Sequence, residues 1–290
     1  MRLKKYTDLD DFYSDTYDIL MRHEAQNIVP LGNLLIGMAG TDKTGWRDPK
    51  NWLMIGVSDS DGIILTAIMT PPMYLTLYAT DNKLDKVAID CLIEGLQGDS
   101  ISGVMSEKEL ALCFAEAWAK VRGVSYEIEM DQKIYELREV NPDIPKIGTL
   151  RRLDERDMPF FPYWLEGFSG SVKYTDTTMS IPSTDKERYH YHISQGSMYV
   201  LEDNDIPVSM AGLPRKMKTV CALNYVYTPP YFRGCGYASS IVSSLSQIAL
   251  DEGFESVALY TDLANPTSNS IYQKIGYREI CDSLMIKFLQ

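Results

Sequence analysis

Leu223 to Tyr277 reads LNYVYTPPYFRGCGYASSIVSSLSQIALDEGFESVALYTDLANPTSNSIYQKIGY. Its first residues, Leu223 to Tyr227, are apolar, β-branched or aromatic, which predicts a strand. Thr228-Pro229-Pro230 ends that strand, because proline has no N–H for a ladder and fixes its own φ. A short turn follows, Arg233-Gly234-Cys235-Gly236-Tyr237-Ala238. Beyond it Ile241, Leu245, Ile248 and Ala249 recur at helical spacing, with Gly253 as C-cap. A strand therefore delivers the chain to a glycine-rich turn that opens a helix. Gly234 and Gly236 let several main-chain N–H groups converge and allow a ligand to approach the backbone. The helix start adds unpaired donors and the positive end of a dipole, and Arg233 adds a guanidinium. This arrangement suits a phosphate or pyrophosphate.

A Gly-x-Gly turn alone is weak. It lacks the Lys-Ser/Thr ending of a Walker A loop and the three-glycine spacing of a dinucleotide fingerprint. Its surroundings add the specificity. Arg233, Gly236 and Ala238 form Arg-x-x-Gly-x-Ala after a strand, and Asn265-x-x-Ser268-x-x-x-Tyr272-x-Lys274-x-Gly276-Tyr277 follows. Together these motifs resemble the GNAT superfamily of acyl-CoA-dependent N-acetyltransferases, in the right order and at the right spacing. The resemblance implies an α/β fold with a mixed, largely antiparallel central sheet flanked by helices. It also implies acetyl-CoA as cofactor. The main chain of Val226, Tyr227 and Thr228 would pair with the pantetheine arm. Arg233, Gly234, Cys235, Gly236, Tyr237, Ala238 and Ser239 would hold the pyrophosphate. Asn265 and Ser268 would line the other side, and Tyr272 would protonate the departing thiolate.

The chain has 290 residues, room for two ordinary domains. With 45% hydrophobic and 23% charged residues, it has the composition of a globular protein with a real core. No apolar run has the length of a membrane span, and the first residues show no signal-peptide pattern, so the expected location is the cytoplasm. A net charge of −12 speaks against nucleic acid as partner and is compatible with an amine acceptor. The five cysteines, Cys91, Cys113, Cys221, Cys235 and Cys281, form no CxxC pair or Cys/His cluster, so neither zinc nor a disulfide framework is indicated. Cys235 sits where a helix N-terminus and Arg233 would activate a thiol, but reads as filler of the turn.

Domain organisation follows from the pass along the chain. Asp8 or Asp10 caps a first helix through Phe12, Tyr17, Leu20 and Met21, and Asn27 to Ile36 predicts a second. His23, between them, reads as a packing or surface residue. Strands are expected over Trp52 to Val57, Ile63 to Met69 and Met73 to Ala79, with a hairpin turn at Asp59 to Gly62. A helix around Leu84 to Leu96, a short strand at Ile101 to Val104, and a helix opened by a capping box at Ser106 to Glu109 follow. A long strand, Ser125 to Val140, closes this half. Met69-Thr70-Pro71-Pro72 echoes Tyr227-Thr228-Pro229-Pro230, so residues 1–140 read as a degenerate GNAT-like copy without a cofactor site. An unrelated α/β domain is the alternative, since a three-residue repeat is cheap. Residues 141–147 are the linker candidate and 148–290 the acetyltransferase domain, giving two tandem halves.

In the second half, Gly148 to Leu153 predicts a strand and Asp154 to Asp157 lead into a helix carrying Phe160, Phe161, Trp164 and Phe168. Gly170 to Ser183 reads as a loop, of the kind that in the resembled fold lies over the acceptor. Glu187 to Ser194 is a short helix; Ser197 to Leu201 and Ile206 to Leu213 are strands. Arg215 to Lys218 reads as a turn before the strand ending at Tyr227.

Acyl transfer needs a polarised thioester, a deprotonated amine and a protonated leaving thiolate. The resemblance gives the first to N–H groups near Val226 and the last to Tyr272, which also fits as a packing aromatic on an amphipathic helix. For the base, Asp262 stands just beyond the strand that faces the cofactor, though it also fits as a cap of the following turn. Glu202, Asp203, His190 and His192 are further candidates. The expected function is transfer of an acetyl group to a primary amine of a small molecule or peptide. The alternative is an acyl-CoA-binding sensor with little turnover. A phosphate-loop kinase lacks its lysine and metal-binding residues.

Overall fold

The computed structural model describes residues 1–40, 48–171 and 186–289. Its contacts divide the chain into two units, Met1–Lys133 with Cys281–Gln290, and Ile134–Ile280.

The first unit begins with β1 (Arg2–Tyr6), α1 (Leu9–Met21) and α2 (Ile28–Ala39). Asp8 caps α1 by accepting from the N–H groups of Asp10 and Asp11. Next come β2 (Leu53–Ser58), β3 (Ile63–Met69), β4 (Leu75–Ala79), α3 (Lys86–Gly95), β5 (Gly103–Glu107), α4 (Lys108–Arg122) and β6 (Ser125–Leu137), the last crossing the division between units. β1 to β4 pair antiparallel in sequence order, and β4 pairs parallel with β5 at Leu75↔Val104 and Thr76↔Met105. The crossover between these parallel strands is α3. Residues 281–289 complete the unit, pairing antiparallel with β5 from Ser283↔Glu107 to Lys287↔Gly103. Leu75, Leu92, Val104, Phe114, Trp118 and Leu284 form the centre of its core.

The second unit comprises β7 (Thr149–Arg152), α5 (Phe161–Ser171), α6 (Lys186–Ser194), β8 (Met198–Asp203), β9 (Ile206–Lys216) and β10 (Val220–Tyr227). It continues through α7 (Tyr237–Asp251), β11 (Ser256–Asp262), α8 (Pro266–Ile275) and the start of β12 (Arg278–Leu289). The pattern repeats that of the first unit: β7 to β10 pair antiparallel, then β10 pairs parallel with β11 around the crossover helix α7. Because strand side chains alternate, this sheet has two distinct faces. Met198, Val200 and Met210 pack with Phe161, Leu165 and Phe168 of α5. Tyr199, Leu201, Ala211, Leu213 and Leu223 pack with Ile241 and Leu245 of α7 and Ile275 of α8. So α5 covers one face, and α7 and α8 the other.

Four expectations are corrected. Ser106 does not cap α4: it is buried in β5, where its Oγ donates to the carbonyl of Leu77. Glu107 takes the cap instead, accepting from the N–H groups of Glu109 and Leu110. Arg2 to Tyr6 is a strand the sequence reading passed over. Arg215 and Lys216 continue β9, since they pair with Ala222 and Cys221. The long strand ends at Leu137 rather than Val140. The proline-bearing segment 141–147 is fastened within the second unit. Asn141 N–H donates to the carbonyl of Ile275 at 2.8 Å, and Ile147 exchanges two hydrogen bonds with the Ser240 hydroxyl of α7, at 2.8 and 2.9 Å. The expected loop from Gly170 to Ser183 lies outside the described residues from position 172 onward.

Candidate active site

The site is built where β10 and β11 stop pairing. Their register runs Val220↔Ser256, Cys221↔Val257 and Ala222↔Ala258, whereas β10 continues to Tyr227 and β11 to Asp262. Over that stretch β10 keeps its other neighbour, β9, but through two register shifts, at Ala222/Asn224 and Asn224/Tyr227. The irregularity has a local cause. Asn224 Oδ1 accepts the N–H of its neighbour Tyr225 at 2.7 Å, and Tyr225 sits at φ 58°. A tyrosine in the left-handed region is a strained bulge residue. The bulge turns Tyr225 and Tyr227 to the α5 face and leaves Val226 against the α7 core.

The chain then leaves the sheet through Thr228, whose hydroxyl lies 2.8 Å from the buried Ser209 hydroxyl; Ser209 also donates to the carbonyl of Tyr227. Arg233 Nε donates to the carbonyl of Thr228 at 3.0 Å, so the guanidinium of this exposed residue is tied across the base of the turn. Gly234 at φ +79° and Gly236 at φ +83° supply the left-handed conformations the turn requires. Gly236 is the N-cap of α7, and no side chain caps that helix. The first-turn donors of α7 are those of Tyr237, Ala238 and Ser239, which have no partner within the helix. An uncapped helix start following an arginine suits a phosphate in charge and in hydrogen bonding. Tyr237 fastens the helix start: its hydroxyl donates to Asp203 Oδ2 at 2.6 Å, a bond that also holds its phenol above the ordinary tyrosine range.

The equivalent place in the first unit is filled by the protein itself. Asp85 caps α3, accepting from the N–H groups of Val87 at 2.8 Å and Ala88 at 3.1 Å. The turn before it, Thr80 to Lys83, contains no glycine. A carboxylate there occupies the donors that a phosphate would need.

On the other flank, β11 ends at Asp262 and α8 begins behind Asn265. Asn265 Oδ1 accepts from the N–H of Ser268 at 3.1 Å, so this pair caps α8. Asp262 Oδ1 accepts from the N–H of Ala264 at 2.8 Å, binding its carboxylate into the same turn. Asn269, which the sequence reading passed over, donates through Nδ2 to the carbonyls of Asp262 and Asn265, while its Oδ1 is buried without a partner. Tyr272 lies one turn further along α8, 8% exposed, with its ring beside those of Tyr135 and Tyr277. Burial pushes its phenol up to about 12, so the hydroxyl stays protonated at neutral pH.

The structure engages most of the candidate bases. Glu202 is paired with Arg151 at 2.6 Å, Asp203 holds Tyr237, and His190 Nδ1 lies 3.0 Å from Glu155. His192 is placed differently: its ring stands 5.3 Å from that of Tyr225, on the bulge of β10. His23 lies in the first unit, its Nδ1 2.9 Å from the hydroxyl of Tyr78. Cys235 is exposed on the turn, its Sγ 3.7 Å from the carbonyl of Arg233. Among the described residues no group of acidic, histidine and cysteine side chains is placed to hold a metal ion, and no helix is long and apolar enough to cross a membrane.

A glycine-capped helix after a bulged strand, parting from its parallel neighbour, makes up the candidate site of an α/β fold. Residues 161–277 match the model of the Acetyltransferase (GNAT) family. An uncharacterized acetyltransferase of Streptococcus pyogenes serotype M1 is 29% identical over 79 residues, 27% of this chain. The matched stretch spans about half of that relative, 54%. Among solved structures, a GCN5-related N-acetyltransferase from Sphaerobacter thermophilus superposes with a TM-score of 0.61 at 14% identity, covering 99% of this chain and 95% of that one. A tandem GNAT protein from the clavulanic acid biosynthesis pathway gives 0.55 at 10% identity, covering 99% and 98%. Both therefore share the fold across the whole chain, in two tandem GNAT-like halves.

Proposed function

We propose that the chain transfers an acetyl group from acetyl-CoA to a primary amine of a small molecule or peptide, using one site in its second unit. The observation that carries this reading is the uncapped start of α7 at the mouth of the β10/β11 gap, with Tyr272 on the flanking helix. When bound, acetyl-CoA supplies an activated acyl thioester and a thiolate leaving group.

Arg233, Gly234, Cys235, Gly236, Tyr237, Ala238 and Ser239 hold the pyrophosphate, mainly through main-chain N–H groups and the Nη atoms of Arg233. Val226, Tyr227 and Thr228 offer main chain toward the gap, where β11 no longer pairs with it; an N–H there stabilises charge developing on the acyl oxygen. Tyr272 holds a proton on its hydroxyl for the departing sulfur. Asn265 and Ser268 contribute by fixing the start of α8, which positions Tyr272, and Asp262 by shaping the turn before it. Asp85 closes the corresponding place in the first unit, so one cofactor binds per chain. The work is expected in the cytoplasm, where acetyl-CoA is made available.

A panel of primary amines, assayed for release of free CoA, tests this reading. Turnover with at least one amine is the expected result. Tight CoA binding without turnover on any amine would replace the enzyme by an acyl-CoA-binding sensor.

A further inference from the structure

β10 leaves the sheet through two peptide units whose carbonyls are each engaged by a side chain. Ser209 of β9 donates its hydroxyl to the carbonyl of Tyr227 at 3.1 Å, and Arg233 Nε donates to the carbonyl of Thr228 at 3.0 Å. Ser209 has one hydroxyl proton, spent on Tyr227, so in its 2.8 Å contact with the Thr228 hydroxyl it is the acceptor. The bonds thus run in one direction, from Thr228 Oγ1 to Ser209 Oγ to the Tyr227 carbonyl. Ser209 is fully buried, and its neighbours Val208 and Met210 belong to the cores on opposite faces of the sheet.

Peptide planarity turns this lock into a direction. The Tyr227–Thr228 peptide is trans, so its C=O and N–H point opposite ways. Ser209 draws the Tyr227 carbonyl toward β9. The Thr228 N–H therefore points away from β9, to the side where β11 has ceased to pair. That N–H finds no partner among the described residues. Pro229 follows and has no N–H at all. With the carbonyls of Tyr227 and Thr228 engaged, this exit from the sheet offers the gap a donor, which suits a carbonyl oxygen on a ligand.

We propose that Ser209 and the Thr228 hydroxyl are positioning groups for the cofactor: they hold the Tyr227–Thr228 peptide with its N–H turned to the gap, where it donates to an amide carbonyl of the pantetheine arm. The proposal rests on the acyl-CoA reading above. Two residues earlier Tyr225 sits at φ 58°, and beyond Tyr227↔Met210 no strand pairing fixes the backbone. No ladder sets the plane of this peptide, and a rotated plane aims a carbonyl at the arm instead of a donor. The Ser209 hydroxyl is the partner that sets it. Thr66 makes a similar bond to the Tyr78 carbonyl in the first unit, at 3.3 Å. There, however, Ala79 still pairs with Leu65, so the ladder already fixes that peptide.

The test uses the full chain, CoA and ADP as ligands in calorimetry, and the variants Ser209→Ala, Thr228→Val and Thr228→Ser, each checked for folding by a melting curve. ADP keeps a pyrophosphate for the glycine turn and lacks the arm. Ser209→Ala and Thr228→Val are expected to weaken CoA by about fivefold, one main-chain hydrogen bond, and to leave ADP within about twofold of wild type. Thr228→Ser keeps the hydroxyl and is expected to hold CoA within about twofold of wild type. The Thr228 amide resonance of the wild type should shift with CoA and stay in place with ADP. Thr228 is half-buried, so Thr228→Val carries the test if Ser209→Ala does not fold. Equal losses for CoA and ADP overturn the proposal, because a general loosening of the strand exit weakens both. Wild-type CoA affinity in the folded variants overturns it too, as does a Thr228→Ser variant as weak as Thr228→Val. A wild type that binds neither CoA nor ADP overturns the acyl-CoA reading itself, which separates the two failures.

Discussion

Ala222 and Ala258 are the last residues at which β10 and β11 pair. Everything proposed for the site follows from their separation beyond that point. The strand before it is held from both sides, while the strand after it has only β9 and an Asn224-capped bulge. The gap is thus fixed by strand pairing, and the candidate site is proposed at its rim.

Arg233 is tied to Thr228 through Nε alone, so truncation removes the Nη donors while the glycine turn remains. Arg233→Ala is expected to weaken CoA binding by about tenfold, one charge-assisted contact, and to leave thermal stability nearly unchanged. Calorimetry and a melting curve check both halves. Unchanged affinity would mean the guanidinium does not reach the phosphate.

Tyr272→Phe removes a buried hydroxyl and keeps the ring against Tyr135 and Tyr277. We expect kcat to fall by about a hundredfold or more with CoA affinity intact. Retained turnover would make Tyr272 a packing residue and move the acid elsewhere.

Alkaline conditions should unfold the second unit before they would a protein with exposed phenols. Burial raises Tyr272 to about 12, raises Cys221 to about 12 and raises Tyr277 further. Each is neutral when protonated, so its contribution is fully present below the unfolded-state pKa and is lost as pH climbs through the folded one. For Tyr272 the shift corresponds to roughly 3 kcal/mol, lost between about pH 10 and 12. Urea midpoints at rising pH check this; a midpoint that stays flat from pH 9 to 12 would contradict it.

Much of this was legible in the chain. Glycine punctuation located the turn and the ends of α4 and α8, and Asp8 marked α1, because caps are local chemistry. What stayed hidden depends on distant partners. Ser106 looks like a cap until Leu77 is seen beside it, which leaves the cap to the next residue. Arg2 to Tyr6 is too charged to announce a strand, as an edge strand often is. At the site, Asp262, Asn265 and Ser268 bear the right residue types, but the structure spends Oδ1 of Asp262, Oδ1 of Asn265 and the main-chain N–H of Ser268 on the turn into α8. The ring contacts of Trp164, Phe168 and His192 with Tyr225 and Tyr227 had no motif to mark them, since α5, α6 and β10 come together only in three dimensions. One signal was available: Asn224 inside an otherwise apolar strand run, a residue strands disfavour.

The central claim is that the uncapped start of α7 binds one CoA, whereas Asp85 fills the matching place on α3. It is tested most directly by calorimetric titration of CoA into the wild-type chain, into Asp85→Ala, and into Gly236→Asp, which moves the carboxylate cap to α7. Gly236 has only the mobile Cδ1 of Ile147 in the way of a new Cβ, at 3.1 Å, and aspartate tolerates a left-handed φ better than most residues. The expected result is one CoA per chain for the wild type, no loss of that site in Asp85→Ala, and at least about a tenfold loss of affinity for Gly236→Asp. Two sites per wild-type chain, or wild-type affinity in a folded Gly236→Asp variant, would contradict it.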